Sequence, residues 1–491
     1  MKKATLLSLP TLCVWLAASC RTAPPPENYL PVSKGAGGAR SGIPGAGAGG
    51  AGYGPGSGTG GSATLLGGEG GEAPVSGMGG ARSGTGAASS GTGAVASTNT
   101  GGAASGGGPG AESGGGANGP TGGAGPAPEC PLPAPSTATF SRQELRKSAA
   151  ACAAWAACEF EVSARALPSQ IDVAAPDAGL SKQAFYQAMV RWSWLEAMQF
   201  GPVAPPSEVA GRDTYHGKGY RDLVHAWPQV ARCRVDEQVA GKRYETFGMD
   251  VVSVSGRGLY GIETLLYYAG ADTACTASSS TGLKWAELDS SQIGALRHSY
   301  ARALARDVHA RAVIIKNVWP PSGENFSAKF EAAEGYPSEQ EAMNVLGWAL
   351  LYLEREVKDF KLGIPAGYTV DAPVTEPEAQ YSGIETELLR ANVAGFRAIF
   401  QGCSAGNEGM GFDDWLTEAG HPELAADVVN ATEALQQLLA TLPQFSALTP
   451  TQLEETYLAA KLVTDYLKGD LFGAGSPLNL KLPSGLEGDT D

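Results

Sequence analysis

Beyond residue 140, apolar residues recur every three to four positions, the spacing that lays one apolar stripe along an α-helix. This periodicity predicts helices over residues 182–200, 291–319, 339–361, 384–400, 423–442 and 452–471. Start signals stand where such helices need them. Ser141-x-x-Glu144 and Ser338-x-x-Glu341 are capping boxes, Ser181 precedes an apolar run, and Thr449-Pro450 sets proline at a first helical position. Gly201-Pro202, Gly363 and Gly402 read as stops. Strand-like runs are confined to residues 251–254 and 314–319. The predicted class is all-α, built of long antiparallel helices in bundles.

The first 134 residues follow different patterns. Lys2 and Lys3 precede an apolar stretch from Leu6 to Ala18, and Ala17-Ala18-Ser19 leads into Cys20. This is the layout of an export signal, expected over residues 1–19. Its last residues resemble the bacterial lipobox, which implies cleavage before Cys20 and lipid attachment there. The partner of that end of the chain is then a membrane, and Arg21 in place of an aspartate makes the outer membrane the default location. Residues 20–134 are dominated by Gly, Ala, Ser and Pro. They cannot bury enough apolar surface to offset ordering entropy and are expected to be a disordered tether. Random-coil scaling gives the tether a reach of roughly 50–60 Å. Residues 135–491 are left as the folded region, long enough for two packed subdomains.

Composition excludes some classes. A net charge of -15 with no Lys/Arg run offers nucleic acid no electrostatic footprint. Of eight cysteines, Cys13 lies in the signal and Cys20 at the lipid site, leaving Cys130, Cys152, Cys158, Cys233, Cys275 and Cys403. Six cysteines in an exported chain suggest disulfides, with fifteen possible connectivities. A Cys233–Cys275 bridge is favoured because the pair flanks the most unusual segment of the chain.

That segment runs Gly258-Leu-Tyr260-Gly-Ile-Glu263-Thr-Leu-Leu-Tyr-Tyr268. Tyr260 and Glu263 are three residues apart and share one helix face, and a carboxylate in an apolar run needs a proton, a partner or a metal. The segment resembles the Gly-x-His-x-x-Glu signature of the imelysin family, also called the M75 peptidases, with Tyr260 where the family has histidine. Further likenesses extend the resemblance across the helical region. They include Arg191-Trp-Ser-Trp-Leu-Glu196 with Phe200-Gly-Pro202, Trp227-Pro228 with Arg234-Val-Asp236, and Tyr352-Leu-Glu-Arg-Glu356 running into Lys361-Leu-Gly-Ile-Pro365. Tyr381-Ser382 with Asn392 and Gly395-Phe-Arg397, and the tail Leu478-Asn-Leu480 with Glu487-Gly-Asp489, complete the set. The resemblance implies two packed four-helix bundles sharing a cleft.

It also implies association with iron uptake, the signature His and Glu being the proposed ligands. Here the donor set would be Glu263, Tyr260, Glu196 and Asp236, a hard oxygen set suited to ferric iron or another metal ion. Each acid could equally be an ion-pair member, with Arg234 or Arg257 the expected partner of Glu196. Asp213 and His216 share a glycine-rich loop and read as a solvated turn. Peptidase chemistry finds little support: His-Glu-x-x-His and Gly-x-Ser-x-Gly are both absent, and the signature histidine is missing. A third reading is a non-catalytic lipoprotein that binds a small ligand or a protein in the cleft, and no residue pattern names that partner.

Overall fold

The structure is a computed structural model in which residues 129–172, 178–205, 217–369, 374–473 and 475–483 are described. The expected signal peptide, Cys20, most of the tether, the Asp213–His216 loop and the Glu487–Asp489 tail lie outside the described residues. The chain divides into two units, and every described residue belongs to the one formed by residues 1–31 and 124–491.

Among the described residues, fifteen α-helices carry the fold. In order they are α1 (Arg142–Ile171), α2 (Ala178–Glu196), α3 (Tyr220–Val224), α4 (Arg232–Gly241), α5 (Arg243–Phe247), α6 (Gly258–Tyr267), α7 (Ser280–Trp285) and α8 (Ser290–Val318). There follow α9 (Phe326–Glu331), α10 (Glu339–Leu350), α11 (Gly363–Ala366), α12 (Glu385–Phe400), α13 (Phe412–Glu418), α14 (Pro422–Thr441) and α15 (Pro450–Tyr466). Among the described residues there is no strand, so the all-α class holds. No helix among them is long and apolar enough to cross a membrane.

The predicted caps at Ser141, Ser338 and Thr449 are present, each side chain accepting the backbone N–H three residues on. Other expectations need correction. Ser181 lies inside α2, where its hydroxyl donates to Gln170 O. Gly363 does not stop a helix; the turn comes at Gly367, whose φ of 75° suits a residue without Cβ. Residues 251–254 form short 3₁₀ turns and 314–318 the end of α8. Only part of each run is buried: Val252 in the first, and Ile315, Val318 and Trp319 in the second. The predicted 339–361 helix is broken at Leu351, and Leu353–Leu362 continues as a π-helix.

One group of helices packs α1 against α2, α8 and α9, with α6 on α8. A second packs α12 and α15 against the π-helix, with α14 on both α12 and α15. The seam between the groups is the α2–α12 contact. Gly395 makes it possible: a Cβ there would stand 2.4 Å from Trp194 O and 2.9 Å from Ala197 Cβ. Beside it, Asn392 Nδ2 donates to Ser193 O at 2.6 Å.

Three disulfides lock the described residues. Cys130–Cys158 ties the segment before α1 onto α1, Cys152–Cys403 joins α1 to the residues just after α12, and Cys233–Cys275 joins α4 to the α6–α7 loop. Adding a methyl group at the seam should be felt at once in a closely packed interior. Gly395→Ala is expected to cost about 1–3 kcal/mol, read as a lower urea midpoint at unchanged m-value. An unaltered midpoint would contradict the close α2–α12 approach.

Candidate functional site

Helix α6 enters its position through glycines. Gly258 has a φ of 66°, and a Cβ there would lie 2.1 Å from Val224 O. Gly261 sits against Leu304 of α8, where a Cβ would come within 2.7 Å of Leu304 Cδ1. These two residues press α6 into the interior, and the carboxylate it carries is taken with it. Glu263 is 2% exposed and Tyr260 3%.

The carboxylate is met by a turn. Glu263 Oε1 accepts Tyr381 N–H at 3.1 Å, Ser382 N–H at 2.9 Å and the Ser382 hydroxyl at 2.8 Å. Ala379 O closes the turn by accepting both Ser382 N and Gly383 N, and Gly383 has a φ of 71°. Burial still dominates over these donors, with the Glu378 charge adding to it, and pushes the Glu263 carboxyl up to about 7. Burial, with the neighbouring Tyr381 adding to it, drives the Tyr260 phenol well above the ordinary tyrosine value.

The same segment brings two more acids. Glu378 Oε1 takes Lys361 Nζ at 2.9 Å and His225 Nε2 at 3.1 Å. Burial would raise the Glu378 carboxyl, but the Lys361 charge and the His225 hydrogen bond outweigh it and bring it to about 2. Because a carboxylate only accepts, His225 carries its proton on Nε2, and Nδ1 is left buried without a partner. Glu385, the first residue of α12, is 6% exposed with Oε2 unpartnered. Burial, helped by Glu263 and Glu378, pushes its carboxyl up to about 8.

Lys361 extends the network to the seam. Its ammonium lies 3.4 Å from Glu196 Oε2 and 2.8 Å from Asn392 Oδ1. Glu196 Oε1 accepts Arg221 Nε at 3.0 Å. The partners of Glu196 are therefore Arg221 and Lys361, in place of the expected Arg234 or Arg257. Arg234 pairs with Glu237, and Arg257 with Asp307 at 2.6 Å. Asp236 does not join the site. It accepts Thr273 Oγ1 at 3.0 Å and Ala274 N at 2.8 Å, pinning the loop beside Cys233–Cys275.

The four donors Glu263, Tyr260, Glu196 and Asp236 are thus not gathered around one point. Three are engaged by donors or cations, and the Tyr260 phenol is harder to deprotonate than a free tyrosine. Among the described residues, the group of three His, Cys, Asp or Glu close enough to hold an ion contains none of them. As they stand, these residues do not fit a resident metal. The residues that do converge, His225, Lys361, Glu378 and Glu385, were not singled out from sequence. The available signals were a lone histidine in the apolar run Val224-His-Ala-Trp227 and the charges Glu354, Lys358 and Lys361 at same-face spacing.

A carboxyl raised from 4.5 to about 7 keeps its proton in the folded chain after the unfolded chain has lost it. Stability therefore falls as pH rises from about 4.5 to about 7, by about 3 kcal/mol for this group. Glu263→Gln is expected to flatten that part of the pH dependence, measured as thermal midpoints between pH 5 and 7.5. Glu385 should keep a residual slope extending to about pH 8. Identical slopes in wild type and variant would refute the assignment.

The imelysin family profile (peptidase M75) matches residues 150–467, which is more than half of the chain and includes both the α6 segment and the 378–385 turn. Among solved structures, an imelysin-like protein from Psychrobacter arcticum 273-4 is similar at 15% identity, covering 70% of this chain and 99% of that chain with a TM-score of 0.47. No curated protein sequence matches the chain. With the glycines, the acid and the turn that receives it all inside the matched residues, the chain belongs to the imelysin family.

Proposed function

We propose that this chain is a non-catalytic binding protein of the cell envelope, anchored by lipid on Cys20, whose ligand is taken at the polar seam around the 378–385 turn. The observation that carries this reading is how the signature residues are used. Glu263 Oε1 is filled by three donors of the turn, and burial holds the Tyr260 phenol protonated. A hydrolytic centre needs a base or a metal ligand aimed at a substrate that can reach it. Glu263 and Tyr260, 2% and 3% exposed, are both withdrawn from solvent. What the seam does offer is polar capacity without internal use: His225 Nδ1 and Glu385 Oε2, both buried beside fixed charges. Groups of this kind suit recognition of a small polar ligand, since each is costly until a partner arrives.

The peptidase alternative is tested with unfolded casein. Wild type and Glu263→Ala are expected to show the same background cleavage, with or without a chelator. Chelator-sensitive cleavage that disappears in Glu263→Ala would overturn the non-catalytic reading.

A second reading, iron or another metal ion as the ligand, is favoured by one observation. The Glu385 carboxyl is raised by burial and then by the charges of Glu263 and Glu378, and its Oε2 lacks a partner. A cation arriving there would relieve the repulsion and expel a proton. Elemental analysis of protein incubated with ferric citrate and desalted is the check. On this reading wild type retains iron and Glu385→Gln loses most of it, whereas equal, near-zero contents would dismiss metal binding at the turn.

A further inference from the structure

Away from the seam, α4 carries Cys233 and Glu237 one helical turn apart, on the same face. Cys275 approaches that face from the α6–α7 loop. One ligand atom from each of Cys233, Glu237 and Cys275 lies within 4.8 Å of the other two. In the oxidised chain the two sulfurs are bonded to each other. We propose that reduction of Cys233–Cys275 converts this corner into a binding site for one thiophilic divalent cation, with Cys233, Cys275 and Glu237 as ligands and Zn²⁺ as the fitting ion.

The loop that carries Cys275 is held by more than its disulfide. Asp236 accepts Thr273 Oγ1 and Ala274 N, and Cys275 N donates to Thr273 Oγ1 at 3.1 Å. Trp285 Nε1 donates to Ala271 O at 2.8 Å, and Arg297 donates to Gly270 O at 2.6 Å. Breaking the S–S bond therefore releases the sulfurs without releasing the backbone. Two thiolates on a tetrahedral zinc, at about 2.3 Å each, stand about 3.8 Å apart. That separation lies within the 4.8 Å that bounds the three ligand atoms.

Glu237 is engaged with Arg234 Nη1 at 2.9 Å, but that pair is on the surface, with side chains 54% and 33% exposed. An exposed pair of this kind is weak and gives way readily to a metal ion. Glu237 at the rim leaves a fourth position for water. Two sulfurs with one carboxylate suit a borderline-soft dication and not Mg²⁺ or Ca²⁺.

The chemistry balances. Exchange with two equivalents of a low-molecular-weight thiol gives two protein thiols and one small disulfide, and zinc binding then releases both thiol protons. The site shares no residue with the seam, so its fate is independent of the ligand proposed there.

The test uses the full chain reduced with a phosphine under nitrogen, desalted, and titrated with Zn²⁺ against a chromophoric chelator. Reduced wild type is expected to bind one more equivalent than Cys233→Ser/Cys275→Ser treated in the same way, so the other cysteines cancel. Oxidised wild type should lack that equivalent, a contrast that needs no variant. Glu237→Gln, at an exposed position, should weaken it at least tenfold, and Co²⁺ in its place should give sulfur-to-metal charge-transfer absorption. Equal binding by reduced and oxidised wild type would overturn the proposal. An unchanged affinity in Glu237→Gln would overturn the three-residue site.

Discussion

A lysine ammonium that is almost fully enclosed governs how the two helix groups meet. Lys361 is 3% exposed and touches Glu196 from the end of α2, Glu378 from the turn and Asn392 from α12. An enclosed charge is tolerable only while its partners stay in place, and losing one partner costs about 3–5 kcal/mol. Three elements distant in sequence are thereby held to one geometry. The turn that receives Glu263 is positioned as a consequence, since it begins at the residue after Glu378. Arg221 and His225 extend the same constraint to α3 and the residue that follows it.

Within that frame, exchanging histidine for Tyr260 changes where protons are exchanged. An imidazole at this position would titrate near neutrality. The Tyr260 phenol, raised by burial, stays neutral throughout the physiological range. The groups that change charge near neutral pH become Glu263 and Glu385, on either side of the turn. The buried acid of this chain is received by a backbone turn.

The helices were legible because their signals are local. Caps at Ser141, Ser338 and Thr449, and apolar residues every three or four positions, belong to single elements. The break at Leu351 and the π-helix after it were not, since apolar spacing barely distinguishes one helical register from the other over ten residues. In the site, Glu263 was visible as an acid in an apolar run. Its receptor was not, because Tyr381 and Ser382 act through backbone N–H groups that no side chain announces. Glu378 lies in a Glu- and Pro-containing connection whose composition is that of an ordinary surface loop, and Glu385 reads as an ordinary acid in the first turn of a helix. Only the tertiary fold buries them, and only it shows that Arg221, not Arg234 or Arg257, answers Glu196.

The seam is not where this fold gains most of its stability, and that bears on what the seam is for. Replacing enclosed ion pairs with packed apolar groups is often neutral or stabilising, so a network such as Glu196–Lys361–Glu378–His225 is a poor way to hold helices together. Cross-links and apolar packing serve that end elsewhere. Cys152–Cys403 spans 251 residues and fastens α1 to the chain just past α12, next to the seam. In the chain-entropy account, a closure that long is worth about 5 kcal/mol. Aromatic contacts such as Phe160–Trp192 and Phe200–Trp319 fill the first helix group. With α1 and α12 already fastened, the chain can keep charged groups at the seam that apolar residues would outperform. Groups retained at such a cost, with His225 Nδ1 and Glu385 Oε2 still lacking partners, fit a surface awaiting a ligand better than one completed by folding.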